Sequence, residues 1–103
     1  MWPLRLVWRR FEVAGASMLP TLLPGESVRA RRRLGRLGIG EVVVVRDPSD
    51  GGRWLIKRVS ALTKDRVELR GDNPEFSTDS RHFGDVARRE VGASSPHGLR
   101  SQA

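Results

Sequence analysis

The stretch E-V-V-V-V-R-D-P-S-D-G-G-R-W-L-I-K-R-V, residues 41–59, decides the fold. Its four consecutive valines, residues 42–45, leave no polar position for a solvent face, so the segment reads as a strand buried on both sides. Asp47, Pro48, Ser49, Asp50, Gly51 and Gly52 form the clearest turn in the chain, and residues 53–59 return as a second strand, a hairpin with a long loop. Alternate residues of a strand share a face, so Leu55, Lys57 and Val59 point the same way. The lysine therefore stands between two apolar side chains instead of among charges.

Working outward, residues 66–70 alternate with Val67 and Leu69 inward, residues 71–84 are irregular and polar, and residues 85–91 have room for a last short strand. The Gly-, Ser- and Ala-rich segment 92–103 has the composition of a disordered tail. On the other side of the hairpin, residues 27–33 place Val28 and Ala30 on one face and Arg29, Arg31 and Arg33 on the other, the pattern of a charged edge strand. Before it, Pro24 and Gly25 occupy the central positions of a type II turn. Trp2, Leu4, Leu6 and Trp8 alternate with less apolar neighbours, as in an edge strand or arm, with contact to a membrane surface as the alternative. The expectation is a mainly β, single small domain of short strands: an N-terminal arm at 1–10, a folded domain at 11–91 and a tail at 92–103.

A chain of 103 residues has room for one modest core. It has no cysteine, which excludes disulfides, thiolate metal sites and cysteine nucleophiles and fits a reducing, cytoplasmic interior. No apolar run approaches the roughly 18 residues of a membrane span, so a soluble chain is expected, with peripheral membrane contact left to the N-terminal arm. Nineteen basic residues against twelve acidic ones give a net charge of +7, which favours an anionic partner, whether an acidic protein, lipid head groups or nucleic acid. Seventeen of the nineteen are arginine, leaving Lys57 and Lys64 as the two lysines. That matters because an arginine does not deprotonate in a protein and a desolvated lysine does.

The chemistry centres on G-A-S-M-L-P-T, residues 15–21, where Ser17 sits on a short, stiff segment stiffened by Pro20. A serine hydroxyl becomes a nucleophile only with a base to take its proton. The chain has two histidines, so a serine-histidine-aspartate site would rest on His82 with Asp79 or Asp85, His97 lying in the tail. The serine-lysine alternative needs a lysine in a dry environment, and Lys57 fits, whereas Lys64 stands beside Asp65 and Arg66 in a turn. At a pKa of ~10.4 about 0.04% of an amine is neutral at pH 7, against about 10% at a pKa near ~8. The polar segment G-D-N-P-E-F-S-T-D-S-R-H-F-G, residues 71–84, offers glycines for unusual backbone angles and Asp72 or Asp79 to pair with Arg81.

Taken in order, S-M-L-P-T at residues 17–21, I-K-R-V at residues 56–59 and the motif at residues 71–84 resemble the signal peptidase I family of serine-lysine proteases, over about residues 11–91. The resemblance implies Ser17 as nucleophile, its amide as an oxyanion donor, and Lys57 as the general base that later protonates the leaving amine. It also implies that Ser77 orients the lysine, that Asp72, Asp79 and Arg81 support the site, and that Met18 and Pro20 contact substrate. Gly15 occupies the position at which many members carry a second hydroxyl donor. The membrane span and the large second β region of secretory members are missing, so the compact, arginine-rich form is most similar to the nickel-type superoxide dismutase maturation proteases. That likeness implies a protein precursor as substrate, whose leader is removed so that its new N-terminal residue can ligate nickel; no cofactor or metal is expected in the protease itself.

Three other readings compete: a truncated secretory-type peptidase, a self-cleaving repressor-like domain, and a nucleic-acid-binding module. Self-cleavage would use the Ala14-Gly15 pair, two residues from Ser17 and too close for in-line attack. Nucleic acid would find the basic residues 29–36 without interleaved aromatic residues and without a helix-turn-helix or zinc pattern.

Overall fold

The computed structural model describes residues 8–32 and 36–95. The expected alternation at Trp2, Leu4 and Leu6, the residue Arg33 and the distal part of the expected tail lie outside them. Seven strands, β1 (Trp8–Glu12), β2 (Ser27–Arg32), β3 (Val42–Asp47), β4 (Asp50–Leu62), β5 (Arg66–Arg70), β6 (Val86–Ala87) and β7 (Val91–Ser95), pair antiparallel in the order β1-β2-β7-β3-β4-β5-β6. Among the described residues the helical content is one turn of helix α1 (Ser80–Phe83) and two 3₁₀ turns, Pro74–Phe76 and Arg88–Glu90. The protein is mainly β and forms one small domain.

The valine run of β3 is buried on both faces, all four side chains having no exposed surface. Val43 and Val45 pack with Val59, Val67, Leu69, Val86 and Val91, covered in part by Phe83 of α1. Val42 and Val44 face the other way, toward Val28, Met18, Leu22 and Ala30. The sheet can bury both faces because it curls. Four strand spacings separate β1 from β4, about 19 Å in a flat sheet, yet the rings of Phe11 and Trp54 lie 6.1 Å apart edge to face. Curling thus brings the end of β1, and the serine segment that follows it, over against β4.

The structure changes four expectations. The loop between β3 and β4 is two residues long, not extended, because Asp47 pairs with Asp50 and its carboxylate accepts hydrogen bonds from the Ser49 amide (2.8 Å) and hydroxyl (2.7 Å). These bonds hold the Asp47 carboxyl below its usual range. The segment expected at the sheet edge is β2, which instead lies between β1 and β7. Its alternation sets Val28 and Ala30 inward and Arg29 and Arg31 on the exposed outer face, not along an edge. Residues 8–10, expected in the arm, are part of β1.

The last change concerns Gly92 to Ser95, expected in the tail, which form strand β7 between β2 and β3. At Gly92 the absence of a side chain is what this place accepts. Gly92 is the extra residue of a bulge opposite Val44 and Val45, and a Cβ there would stand 3.3 Å from the Trp54 ring. We therefore expect Gly92→Val to destabilise the fold by about 2 kcal/mol, by overpacking against Trp54, as a lowered urea midpoint at unchanged slope. A tail residue would leave the midpoint where it was.

Candidate active site

The serine segment is a closed loop. Its base is stapled where the Val13 amide donates to the Glu26 carbonyl and the Gly25 amide to the Val13 carbonyl, each at 2.8 Å. Leu23 to Glu26 turn back through a 3.0 Å bond with Gly25 at φ +87°, the type II geometry that Pro24 and Gly25 led us to expect. Inside the loop, Met18 and Leu22 anchor to the core while Ser17 stays partly open. Gly15, at φ +76°, takes a left-handed turn that a residue with a Cβ would adopt only under strain.

A second segment holds the loop from below. The Asn73 amide donates to the Ser17 carbonyl (2.8 Å) and the Asn73 side chain to the Ala16 carbonyl (3.0 Å). Asp72 bridges the Thr21 hydroxyl of the loop to Arg58 of β4, whose guanidinium grips it at 2.9 and 2.8 Å and reaches the Gly40 carbonyl at 2.8 Å. Burial alone would raise the Asp72 carboxyl, but these hydrogen bonds and the arginine charge hold it below its usual range. Asp72 was expected to compete for Arg81; that arginine instead belongs to Asp79. Gly71 makes the approach possible, since a Cβ on it would lie 2.6 Å from the Ser77 Cβ and 2.7 Å from the Ser17 carbonyl.

Asp79 has no exposed surface. Its two oxygens accept from the Gly71 amide (2.9 Å), the Ser77 hydroxyl (2.8 Å), the Arg81 amide (3.2 Å) and the Arg81 guanidinium (2.9 Å to each oxygen). Burial pushes the carboxyl up, and this set of donors outweighs it, leaving Asp79 far below the ordinary carboxylate range. His82 turns away from any triad: its Nδ1 accepts from the Asp79 amide at 3.2 Å, and the side chain is half exposed.

Lys57 comes up from β4 to meet the loop. Its Nζ lies 3.0 Å from the Ser17 Oγ, and the residue is 4% exposed. Desolvation lowers its pKa; Asp79 pulls it back up, while Arg53 and Arg81 push it down. The buried amine and the partly open hydroxyl thus meet at hydrogen-bond distance in a cleft of about 230 Å³ lined by Glu12 to Met18, Arg53 to Lys57, Phe76 and Thr78. Such a pair can pass a proton from the hydroxyl to the amine when the amine is neutral.

The other expected residues fall as follows. Ser77 is buried, and its hydroxyl donates to Asp79. Met18 lines the cleft while its bulk is buried in the core. Pro20, expected to touch substrate, is exposed and does not line the cleft; the loop turns it outward after the cis Leu19–Pro20 peptide. Lys64 is exposed in the turn before β5, away from the cleft. Arg58, Thr21 and Asn73 were missed in the sequence. Arg58 stood beside Lys57 and Asn73 beside Asp72, so motif adjacency was the available sign.

Comparison with known proteins now adds the class. Residues 3–73 match the family described as signal peptidase, peptidase S26, and the chain belongs to that family. It is 40% identical over 100 residues to the mitochondrial ATP-independent inner membrane protease subunit 1a of Arabidopsis thaliana, covering 72% of this chain. The chain spans about 60% of that relative's length. Among the described residues no helix is long and apolar enough to cross a membrane, and no cluster of metal-ligating side chains occurs.

Two outcomes follow from the support under the loop. Gly71→Ala is expected to displace Ser17 or Ser77 and to lower peptide cleavage about 100-fold in protein that still folds, since a misplacement near 1 Å costs that much. The depressed carboxyls of Asp72 and Asp79 contribute stability that is fully present above their unfolded pKa of about 3.9 and is lost as pH falls through their lower folded values. Urea midpoints should therefore hold from pH 7 to about 5 and drop below 4. In Asp72→Asn protein that drop should be smaller and the pH 7 midpoint lower.

Proposed function

We propose that this protein is a serine endopeptidase in which Ser17 and Lys57 form a catalytic dyad that removes the N-terminal leader of a precursor protein. The observation that carries the reading is the 3.0 Å contact between the Lys57 amine and the Ser17 hydroxyl, made by a lysine with almost no solvent contact. Neutral Lys57 takes the Ser17 proton as the oxygen attacks the scissile carbonyl. The oxyanion forms beside the Ser17 amide, which donates no hydrogen bond among the described residues. Protonated Lys57 then gives its proton to the leaving amine, and the acyl group stays on Ser17 as an ester. Water, deprotonated in turn by Lys57, releases it.

In this scheme Asp79 and Arg81 act through others. Their ion pair fixes Ser77, whose oxygen keeps lone pairs for the lysine, and Asp79 moderates how far burial lowers the amine. Met18 contributes to the cleft wall that receives substrate. As substrate we assign the precursor of a nickel superoxide dismutase, in line with the likeness to its maturation proteases: a free α-amine becomes a metal ligand only after the peptide bond before it is cut. We place the protein in the cytoplasm. The second reading, a membrane-associated leader peptidase, is favoured by the inner-membrane relative.

Ser17→Ala and Lys57→Arg should each abolish cleavage, the latter because a guanidinium keeps its charge but does not act as a base; Lys64→Arg should be silent. Activity should rise between pH 6 and 9, as the Lys57 amine, lowered by burial, becomes neutral. A pH-independent chemical step would rule out the lysine as base. Lys57→Met should be inactive yet more stable at pH 7, with a Tm several degrees higher, because below its folded pKa the wild-type amine must be charged in a dry site. Co-expression with the precursor, read by mass spectrometry, tests the substrate: a dismutase beginning at its ligand residue supports it. An intact precursor beside a readily cut secretory leader favours the second reading.

A further inference from the structure

Beside the dyad the cleft is lined by a charge to which the scheme above gives no role with substrate. Arg53 lines the cleft on β4 and shares its face with Leu55 and Lys57. Four residues of strand place it about 13 Å from the lysine position. It is exposed, and it makes no hydrogen bond or ion pair among the described residues.

The arginines nearest the site are engaged elsewhere. Arg58 holds Asp72, Arg81 holds Asp79, and Arg46 donates to the Gly51 carbonyl while lying over the Trp54 ring at 4.8 Å. Asp47, the acid whose field Arg53 feels, is committed to the Ser49 amide and hydroxyl. On the facing wall stands Glu12, also exposed and without a cation partner among the described residues.

We propose that Arg53 is a specificity-determining residue of the cleft, binding a carboxylate side chain of the substrate about four residues from the scissile bond. This rests on the endopeptidase reading above. An extended peptide advances at nearly the rise of β4, so the residue abreast of Arg53 is about four from the one abreast of Lys57. A guanidinium takes a carboxylate in two parallel hydrogen bonds, and against a cleft wall that contact survives competition from water better than on an open surface. Glu12 across the cleft repels a second acid and limits the preference to the side chain that points at β4.

The experiment measures kcat/KM of the full chain on peptides that carry a single Asp, or Asn, at each position within six residues of the cut on either side. One position, three to five residues from the bond, should favour Asp over Asn about fivefold. That ratio should fall to about one in Arg53→Gln and in 0.5 M salt, and Arg53→Glu should prefer Lys there. Any effect of Arg53 on the Lys57 amine is common to the paired peptides and cancels in the ratio. Ser17-dependent cleavage with no such position, or with a preference that survives Arg53→Gln, overturns the inference and leaves the peptidase reading standing. Absence of Ser17-dependent cleavage of every peptide overturns both.

Discussion

A carboxylate with no solvent contact must be supplied with donors by the protein around it, and the site is arranged about that requirement at Asp79. Five hydrogen bonds reach it from Gly71, Ser77 and Arg81, segments that would otherwise be loose polar loop. Fixing the Gly71 amide fixes the next two residues, and those two hold the serine loop: Asp72 through Thr21 and Asn73 through the carbonyls of Ala16 and Ser17. The position of the Ser17 hydroxyl is thereby tied to an acid 62 residues further along the chain. The same buried charge stands close enough to Lys57 to temper the loss of its proton. One ionised group thus serves both geometry and electrostatics.

Lys57 is the complementary case, an amine that the fold desolvates and that meets a hydroxyl, with no carboxylate in contact among the described residues. In an ordinary surface strand its amine would snorkel to water. Here the curl of the sheet and the loop above it close that route, and burial lowers the pKa of the amine. A protein that only needed stability would place an apolar residue there. That this one places an amine against a hydroxyl is the physical reason to look for reactivity.

Some of this was legible in the chain. The four valines of β3 could satisfy only a strand buried on both faces, and the alternation of Leu55, Lys57 and Val59 marked the lysine as dry. What joined Ser17 to Lys57 was the resemblance, since periodicity says nothing of which loop closes over which strand. The partner of Asp72 was missed because the nearer arginine in sequence, Arg81, is taken by an acid that is more deeply buried. Strand β7 was missed because Gly92, Ala93, Ser94 and Ser95 carry no apolar pattern: the backbone does the pairing, and the space beside Trp54 admits only small side chains.

The place of β7 also makes it the seam of the sheet. Strands β1 and β2 flank the serine loop, β4 carries the lysine among strands β3 to β6, and among the described residues these two groups pair through β7. Among the described residues, sheet pairing between the strands that flank the serine loop and the strand that carries the lysine thus runs through the last strand of the chain. A stretch of glycine, alanine and serine with no apolar pattern is what makes one sheet of the two groups.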